Sequence, residues 1–481
     1  MKLERTTTGL IIKEPDDSVK RKVIQYFSLV NPVREFFIYS GNNPDEQPIF
    51  GKEKDVIYIT SGFLNVNDAG IQSLPSPHVI TPPTPKQVNI KMKMQPRSQL
   101  QIDCIDKLTT SASPKITVEL KPGVGKTFIA LYAISKLGFK PLIITPTTLL
   151  KNQWIEQFID LGIDKKDIAT NVFDSPSKTF CVVTISSIEN ALREDWHKLM
   201  TTLNEASFGI KVIDESHLHL KGVLRFDSIC NIKHNWYLSA TLGRSDPQED
   251  GILNRALSDA DRFVGNSSYE EYQHEYVNVY FQDIYYYPTT DLCLEHFRYG
   301  SKGLIRSSYY NMLMEYKKGI PFISNLINLM KRAKAITTYD GKILLLVPLI
   351  SIIDKTIEHM KQDPYFQKYT YSGVDGSMPL SERRQAMESD FILSTSLSMG
   401  TGVDVSNLAA VINFDQYSSP IITEQIFGRL RDRGKDTWYI DICDHVKQAR
   451  MLENWGRKRR TLLPYFPGAK SEIKLLPEIK S

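Results

Sequence analysis

The sequence predicts an α/β protein in which two tandem parallel-sheet domains follow a small β-rich N-terminal domain. Three observations support this prediction: the length of the chain, two series of apolar strands that alternate with helices, and a proline-rich segment ahead of the first series. With 481 residues, the chain is longer than one ordinary hydrophobic core accommodates. Its composition, 41% hydrophobic and 24% charged, is typical of a globular protein and not of a disordered or fibrous one.

Short strand-like runs separated by polar turns occupy the first part of the chain. The clearest are REFFIYS (34–40) and DVIYITSGFL (55–64). The segment LPSPHVITPPTPKQ (74–87) then carries five prolines, which disfavour both helix and central strand. We therefore predict a β-rich domain over residues 1–85 that ends in a semi-rigid extended connector.

Two later stretches alternate strands with helices. The strands of the first series are KITVEL, KPLIITP, FCVVTIS and GIKVIDE, and those of the second are KILLLVP, DFILSTS, AAVINFD and TWYIDIC. Continuous apolar strands of this kind indicate parallel sheets covered on both faces. We predict one domain over 86–268 and a second over 269–460, followed by a basic tail over 461–481. A tyrosine-rich stretch, EYQHEYVNVYFQDIYYYP (271–288), should enter the second domain as a strand.

Composition also bears on location and on partners. The net charge of +4 permits an anionic partner without requiring one. The five cysteines form no C-x-x-C pair, so we expect reduced, buried thiols and neither a metal centre nor a disulfide framework. The strongest apolar stretch, ILLLVPLISII (343–353), is too short to span a bilayer, and the charged N-terminus does not resemble a signal peptide. We expect a cytoplasmic protein without a membrane partner.

A glycine-bearing loop, ELKPGVGKT (119–127), lies between a strand and a helix, which is the context that a phosphate-binding loop requires. Lys126 would pair with the β and γ phosphates of ATP, and Thr127 would ligate Mg²⁺. Leu120 occupies the position where the usual pattern has its first glycine, so a structural turn is the alternative. The predicted nucleotide-binding residues of the loop are Pro122, Gly123, Val124, Gly125, Lys126 and Thr127.

A second motif, VIDESH (212–217), puts two carboxylates at the end of an apolar strand. The carboxyl edge of a parallel sheet is where such folds bind ligands. Asp214 is predicted to hold Mg²⁺ directly or through water, and Glu215 to orient and deprotonate the attacking water. A solvated acidic strand end is the alternative, and the preceding phosphate loop makes it less favourable.

With these two motifs the chain resembles superfamily 2 helicases and translocases of the DExH-box type. ELKPGVGKT corresponds to motif I, whose first glycine those enzymes often replace, and DESH corresponds to motif II. The other motifs follow in the expected order: ITPTTLLKNQW (144–154) as Ia, VVTISSIE (182–189) as Ib, YLSATLGR (237–244) as III, KILLLVPLIS as IV, STSLSMGTGVDV (394–405) as V and EQIFGRLRDR (424–433) as VI. The resemblance implies two RecA-like domains that bind ATP and Mg²⁺.

The resemblance also assigns roles in the first domain. Gln101 corresponds to the adenine-reading glutamine of such enzymes, and Gln99 is the other candidate. His217 would act with Ser239 and Thr241 of motif III to couple the phosphate state to the grip on nucleic acid. The residues implied to contact the nucleic-acid backbone, from motifs Ia, Ib and V, are Thr147, Thr148, Ser186, Ser187, Thr395 and Thr401.

In the second domain, Gly402 and Asp404 of motif V would contact the nucleotide. Motif VI would supply an arginine that stabilises negative charge near the γ phosphate. The family usually has a second arginine at the position that Asp432 occupies here, which leaves the finger open among three residues: Arg429, Arg431 and Arg433. The cluster GRKRR (456–460) adds either electrostatic grip on nucleic acid or a solvated terminus.

The build of the chain most resembles phage branch-migration helicases of the UvsW type and, more distantly, the RecG and XPB groups. This implies a monomeric, ATP-dependent DNA helicase or translocase that unwinds or branch-migrates forked and four-way DNA in replication, recombination or repair. The N-terminal domain would engage duplex DNA, and a phage-encoded protein would act in the host cytoplasm. The alternatives are a viral RNA helicase or transcript-release ATPase, with RNA as partner, and a catalytically silent DNA-binding clamp.

Overall fold

A computed structural model divides the chain into two compact units, Met1–Asn266 and Ser267–Ser481. It describes residues 1–21, 38–40, 56–62, 76–243, 247–285, 299–300, 303–304, 306–315, 319–376, 378–396, 405–415, 420–431, 434–445 and 450–480. Within these ranges, no helix combines the length and the apolar character that crossing a bilayer requires. Each unit has a parallel sheet and a hydrophobic core of its own.

The first unit begins with a five-stranded sheet. Its strands are β1 (Lys2–Arg5), β2 (Gly9–Lys13), β3 (Ile38–Ser40), β4 (Val56–Thr60) and β5 (His78–Val79). They lie in the order β3-β4-β2-β1-β5, and all pairs are antiparallel except β1 with β5. Strand β5 belongs to the proline-rich segment. Two residues of the predicted extended connector thus complete the sheet as an edge strand.

The second sheet of this unit has seven strands, all parallel. They are β6 (Lys115–Glu119), β7 (Pro141–Thr145), β8 (Ile168–Ala169), β9 (Phe180–Thr184), β10 (Ile210–Ile213), β11 (His234–Ser239) and β12 (Asp261–Val264). Their order is β12-β6-β11-β10-β7-β9-β8. The helices of the unit are α1 (Gln99–Thr110), α2 (Lys126–Leu137), α3 (Thr148–Asp160), α4 (Ile185–Ala206), α5 (Leu220–Ile229) and α6 (Pro247–Ala256). The predicted parallel α/β sheet is confirmed.

Helix α4 is two helical segments joined at Asp195. That residue has φ −160° and ψ 87°, which lie outside the helical region. Its carboxylate Oδ1 accepts a hydrogen bond of 2.9 Å from the backbone N–H of Lys198. Asp195 therefore caps the second segment, because aspartate is a favoured N-cap residue whose side chain accepts a hydrogen bond from the backbone N–H three residues later.

The N-terminal sheet packs directly on the first parallel domain. The rings of Tyr58 and Trp196 meet edge to face at 4.9 Å, and Thr8 Oγ1 donates to the backbone O of Asp227 at 2.9 Å. A Cβ at Gly9 would lie 2.3 Å from the backbone O of Ser228, so only glycine permits this approach. Residues of both sheets belong to one hydrophobic cluster. The predicted β-rich region thus forms a sheet, but it shares its core with the first parallel-sheet domain.

A group of ion pairs and hydrogen bonds links the two sheets. Asp259 accepts from Lys115 Nζ at 2.6 Å and from Arg5 Nη2 at 3.0 Å, and Lys115 also donates to Ser61 Oγ at 3.1 Å. Burial lowers the pKa of Lys115, against the opposing effect of Asp259. The pair therefore joins β1 and the turn after β4 to the first strand of the parallel sheet.

The second unit contains an all-parallel sheet and a short hairpin. Its strands are β13 (Val277–Tyr285), β14 (Tyr299–Gly300), β15 (Gly303–Leu304), β16 (Lys342–Val347), β17 (Tyr371–Val374), β18 (Phe391–Thr395), β19 (Leu408–Asn413), β20 (Thr437–His445), β21 (Ala469–Leu475) and β22 (Ile479–Lys480). Its helices are α7 (Arg306–Glu315), α8 (Ile320–Ile336), α9 (Ile350–Gln362), α10 (Leu380–Ala386), α11 (Pro420–Phe427) and α12 (Arg450–Leu462). The sheet order is β17-β18-β16-β19-β20-β13-β21, and β22 also pairs with β13. The tyrosine-rich stretch enters as β13, as predicted.

The C-terminal segment is part of this unit. Strands β21 and β22 both pair with β13, so the described part of the predicted tail over 461–481 belongs to this sheet. The basic cluster lies in α12, where Arg459 is buried against Asp441 at 2.9 Å and Arg460 lies 2.8 Å from Asp283. Two of its cations are therefore used inside the fold, where they pair with carboxylates of the interior strands β20 and β13.

Four cysteines are buried free thiols, as predicted, and Cys293 lies outside the described residues. Cys443 is in the one part of the described chain where donor atoms of a thiol, a carboxylate and an imidazole, from Asp283, Cys443 and His445, all lie within 4.8 Å. His445 Nε2 and Arg460 Nη1 both contact Asp283 Oδ1 at 2.8 Å, and burial raises the pKa of the Cys443 thiol to about 12. Asp283 is thus contacted by an imidazole and a guanidinium of its own unit.

A buried carboxylate gives a test of the core of the first unit. Asp227 is fully buried and accepts from Lys211 Nζ and from Tyr237 Oη. Replacing Asp227 by alanine leaves the Lys211 ammonium buried without its carboxylate, so we expect urea denaturation to show a loss of roughly 3–5 kcal/mol.

The exposed pair of Asp106 and Lys136, at 3.1 Å, provides the control. We expect Asp106→Ala to cost less than about 1 kcal/mol, because water screens an exposed pair. Equal stability losses in the two variants would contradict the assignment of a structural role to the buried pair.

Candidate active site

Three neighbouring strands bring the predicted motifs to one edge of the first parallel sheet. Strands β6, β11 and β10 are adjacent, and motifs I, III and II lie at their carboxyl ends. Backbone hydrogen bonds continue past the strand ends, from Leu120 N to Ser239 O at 3.0 Å and from Ser216 N to Leu238 O at 2.9 Å. The three motifs therefore form one continuous edge.

The phosphate loop has the backbone that its glycines permit. Gly123 has φ 94° and Gly125 has φ 90°, which is the left-handed region that side chains other than glycine rarely adopt. The loop leads into the N-terminus of α2, whose backbone N–H groups and dipole favour an anion. Leu120 is fully buried in the core. The departure from the usual glycine is therefore accommodated, because the leucine side chain is covered by the core.

Lys126 is positioned between the loop and motif II. Its Nζ donates to the backbone O of Leu120 at 3.1 Å and lies 3.7 Å from Oε1 of Glu215. Its side chain is 11% exposed, and that of Glu215 is 18% exposed. The ammonium is thus held at the edge of the sheet, where a phosphate could replace its present contacts.

Asp214 has a more buried environment than the sequence indicated. Its Oδ2 accepts a hydrogen bond from Trp154 Nε1 at 2.9 Å, and its Oδ1 accepts from the backbone N–H of Glu215 at 3.1 Å. Burial, reinforced by the charge of Glu215, raises the pKa of Asp214 to about 6. Sequence reasoning missed Trp154, although the NQW triplet of motif Ia contained it.

The remainder of motif II connects to motif III. His217 Nδ1 lies 2.8 Å from Ser239 Oγ and 3.5 Å from Oε2 of Glu215. Ser239 Oγ donates to the backbone O of Thr241 and accepts from its N–H at 3.0 Å. Since the serine proton is donated to that carbonyl, Nδ1 of the histidine acts as the donor to Ser239. The structure thus brings the predicted coupling residues together.

Glu215 has a strained backbone. Its φ of 48° lies in the left-handed region, which costs energy for a residue with a side chain. Such strain is concentrated at functional sites, where the surrounding contacts maintain it. It is consistent with the predicted role of Glu215 in orienting water.

Gln101 clamps the phosphate loop in this structure. It is 3% exposed, its Oε1 accepts from the backbone N–H of Arg97 at 3.0 Å, and its Nε2 donates to the backbone O of Val124 at 2.8 Å. Gln99 is exposed and donates to Asp103 at 2.7 Å. Adenine recognition by either glutamine stays a prediction; recognition by Gln101 would require its amide to exchange these partners.

The predicted nucleic-acid contacts of the first unit lie at two helix N-termini. Thr147 caps α3 by accepting from the backbone N–H of Leu150 at 3.3 Å, and Thr148 is the first helical residue. Ser186 and Ser187 lie in the first turn of α4. Because α3 and α4 follow the neighbouring strands β7 and β9, both N-termini lie at the same carboxyl edge as motifs I and II.

The second unit contributes fewer described candidates. Thr395 is buried at the end of β18, while Arg429 and Arg431 are half-buried beyond the end of α11. Four predicted site residues lie outside the described residues: Thr401, Gly402, Asp404 and Arg433. The choice among the motif VI arginines therefore stays open.

The donor set of the first unit fits Mg²⁺ and a nucleotide. Asp214 accepts one hydrogen bond at each oxygen, which leaves a lone pair on each for a metal or its water. Thr127 adds a hydroxyl, and oxygen ligands are those that Mg²⁺ prefers. Lys126 and the N-terminus of α2 supply the positive charge that phosphates require.

Two family models match the chain. Residues 91–243 match the model described as type III restriction enzyme, res subunit, and residues 323–433 match the helicase conserved C-terminal domain. The two matches fall in different units and include motifs I and II in one and motif VI in the other. The chain belongs to helicase superfamily 2.

Curated relatives of this helicase carry two kinds of name. The putative ATP-dependent RNA helicase QP509L of African swine fever virus (isolate Pig/Kenya/KEN-50/1950) is 29% identical over 195 residues, which are 36% of each chain. The putative DNA 3'-5' helicase Rad25 of Haloarcula marismortui is 28% identical over 133 residues, 27% of this chain and 21% of that protein. The matches thus span about a third or less of the length of these relatives.

Solved structures confirm the fold. Dbp5 of S. cerevisiae, bound to RNA and ADP BeF3, matches with a TM-score of 0.50 at 14% identity, covering 80% of this helicase and 91% of that chain. T4 UvsW covers 99% of both chains at 15% identity, but its TM-score of 0.33 is too low to support an argument. Membership of the UvsW branch therefore stays a prediction.

The buried carboxylate of Asp214 predicts a pH-dependent stability. Because its pKa is raised to about 6 from the ordinary 3.8, the folded protein contains a costly buried charge above pH 6 and loses that cost as the pH falls through 6. In EDTA, we expect Asp214→Asn to raise the melting temperature at pH 8, on the order of 5 °C. Calorimetry should show the difference shrinking toward pH 5.

The exposed Asp106→Asn variant serves as the control and should show no such trend. A difference between Asp214→Asn and the wild type that did not depend on pH would contradict the assigned burial effect.

Proposed function

We propose that this helicase uses ATP to unwind or branch-migrate forked and four-way DNA as a monomer, in replication, recombination or repair. One observation supports the motor function most strongly. Lys126, Asp214 and Glu215 meet at the sheet edge where His217 contacts Ser239. A silent DNA-binding clamp would have no need for this combination of phosphate, metal and water-orienting groups.

The geometry suggests how hydrolysis proceeds. The β and γ phosphates of ATP would bind at the loop and at the N-terminus of α2, and Lys126 would exchange Leu120 O and Glu215 for phosphate oxygens. Glu215, released from the ammonium, would accept a proton from the attacking water. Thr127 and Asp214 would hold Mg²⁺, which neutralises phosphate charge when bound.

The contacts of motif III suggest how hydrolysis is coupled to movement. His217 contacts both Glu215 and Ser239, and Ser239 holds the backbone of Thr241. A change in the partners of Glu215 on hydrolysis would thus reach the end of β11 through one side chain. Arg429, Arg431 or Arg433 would complete the site from the second unit.

The proposed grip on nucleic acid is independent of base sequence. Thr147, Thr148, Ser186 and Ser187 place hydroxyl groups at two helix N-termini, where backbone N–H groups favour phosphates. Thr395 and Thr401 would add contacts from the second unit. Contacts of this kind read the backbone, so the substrate is distinguished by its shape.

RNA is the second candidate substrate. It is favoured by the viral relative, whose name is putative ATP-dependent RNA helicase and whose match covers 195 residues. DNA is favoured by the Rad25 relatives, whose name is putative DNA 3'-5' helicase. We also propose that the N-terminal sheet contacts duplex DNA, in which case its shared core would fix it rigidly to the first motor domain.

Hydrolysis assays with different nucleic acids test the proposed function. We expect forks and four-way junctions to stimulate ATP turnover more than single-stranded DNA, duplex DNA or RNA does. All assays would use one moderate salt concentration, because binding to the nucleic-acid backbone depends strongly on salt. Lys126→Ala should lose nucleotide binding and turnover, whereas Glu215→Gln should retain binding and lose turnover.

Glu205→Gln, at an exposed position of α4, is a matched control and should hydrolyse ATP normally. Undiminished turnover in both site variants would overturn the motor function. Stimulation by RNA alone would replace DNA by RNA as the substrate.

Single alanine variants of Arg429, Arg431 and Arg433 test the role of motif VI. Replacing the arginine that faces the γ phosphate should lower ATP turnover by roughly 10³-fold or more and change nucleotide affinity little. The reason is that this arginine stabilises charge that develops only during the reaction. Stopped-flow hydrolysis and nucleotide binding would be measured on each variant. If none of the three lowers turnover, motif VI does not supply the finger.

A further inference from the structure

Trp154 contacts the predicted metal ligand from a neighbouring helix. It lies in α3, is 1% exposed, and donates its indole N–H to Oδ2 of Asp214 at 2.9 Å. The other oxygen, Oδ1, accepts the backbone N–H of Glu215 at 3.1 Å. Each oxygen of the Asp214 carboxylate thus accepts one hydrogen bond. The two hydrogen bonds together fix the position of the carboxylate and its rotation.

The indole ring is itself held firmly. Trp154 packs against Phe158 with ring centroids 6.4 Å apart, and Phe158 packs against Phe180 of β9 at 4.8 Å. Helix α3 follows β7, which pairs with β10 and β9. The helix that carries the indole N–H and the strand that precedes Asp214 therefore belong to the same parallel domain. Close packing of the buried aromatic rings restricts the orientation of the indole.

The rotation of the carboxylate matters because of the proposed metal. Mg²⁺ requires near-ideal octahedral geometry, so a ligand with the wrong orientation binds it poorly. Side chains that hydrogen-bond a metal ligand typically set its orientation, and their loss weakens metal binding. No other described side chain is seen to donate to Asp214.

We propose that Trp154 is a positioning residue that holds the Asp214 carboxylate in the orientation that Mg²⁺ requires. It acts through Asp214 and contacts neither the metal nor the nucleotide. The inference rests on the proposed function, in which Asp214 holds Mg²⁺ beside bound ATP. It adds a residue of motif Ia, otherwise assigned to nucleic acid, to the metal site of motif II.

Trp154→Phe in the full-length protein tests the proposal. The binding of a fluorescent ADP analogue would be titrated at a series of Mg²⁺ concentrations and, separately, in EDTA. We expect the half-saturating Mg²⁺ concentration to rise roughly 10-fold, which is the usual effect of losing such a partner. Affinity in EDTA should change less than about twofold, because the hydrogen bond is not expected to act on the phosphate loop.

Trp236→Phe is the matched control. Trp236 is also fully buried in the first unit, and among the described residues its indole N–H has no hydrogen-bond partner. This substitution removes the same atoms from another buried position of the first unit, at a side chain that has no hydrogen bond to Asp214. Both its affinities should match the wild type once thermal unfolding shows that it is folded.

A second variant keeps the test valid if phenylalanine disturbs folding. Benzothienylalanine, in which sulfur replaces the indole N–H, would be introduced at position 154 by nonsense suppression. It fills nearly the same volume but cannot donate a hydrogen bond. We expect it to raise the Mg²⁺ requirement as Trp154→Phe does.

The outcomes separate this inference from the proposed function. If the wild type binds the analogue with Mg²⁺ but the position-154 variants need no more Mg²⁺ than Trp236→Phe, the positioning role is wrong and the motor function stands. If the wild type binds no nucleotide with or without Mg²⁺, the proposed function fails and the inference fails with it.

Discussion

The structure of the first unit depends on the parallel register of β6, β11 and β10. Ser239 pairs with Glu119, and Ile213 pairs with Tyr237, so the three strands end close to the same level. Segments that are far apart in sequence leave the sheet side by side as a result. A shift of one residue in any of these pairings would reverse the faces of that strand and separate the lysine from its carboxylates. The register of the sheet therefore determines which side chains meet at the site.

The same unit contains charges that the site does not use. Lys115 with Asp259 is buried where the N-terminal sheet meets the parallel domain, and Lys211 with Asp227 is buried within that domain. Buried ion pairs contribute little net stability, but breaking one leaves a costly charge, so they specify which surfaces pack together. This explains how a short sheet whose strands come from residues 2–79 occupies one definite place on the domain.

The sequence predicted the parts of the fold and site that depend on local patterns. Gly123, Gly125 and Lys126 were identifiable because loop geometry requires glycine and phosphate requires a cation, and Asp214 and Glu215 because they end an apolar strand. Contacts between distant segments leave no local pattern. No spacing rule connects Trp154 to Asp214, which lies 60 residues further along the chain.

Two departures from the sequence prediction arise from contacts between segments that are distant in the chain. The GRKRR cluster has the composition of a solvated terminus, but Arg459 is buried against Asp441, which belongs to a strand that sequence reasoning treated as purely apolar. The proline-rich segment has the composition of a connector, but two of its residues, His78 and Val79, pair with β1. The strand they form lies at the edge of the sheet, where only one side of a strand forms hydrogen bonds and nearby prolines are tolerated. The composition of a segment does not show which other segments it contacts in the fold.

The break in α4 has a mechanical consequence. The segment before Asp195 carries Ser186 and Ser187, and the segment after it carries Trp196, which packs on Tyr58 of the N-terminal sheet. A continuous helix would transmit any tilt from one end to the other as a rigid rod. The break at Asp195 interrupts that rod, so each segment is held by its own buried residues in the shared core, Ile188 and Leu192 before the break and Trp196 and Leu199 after it.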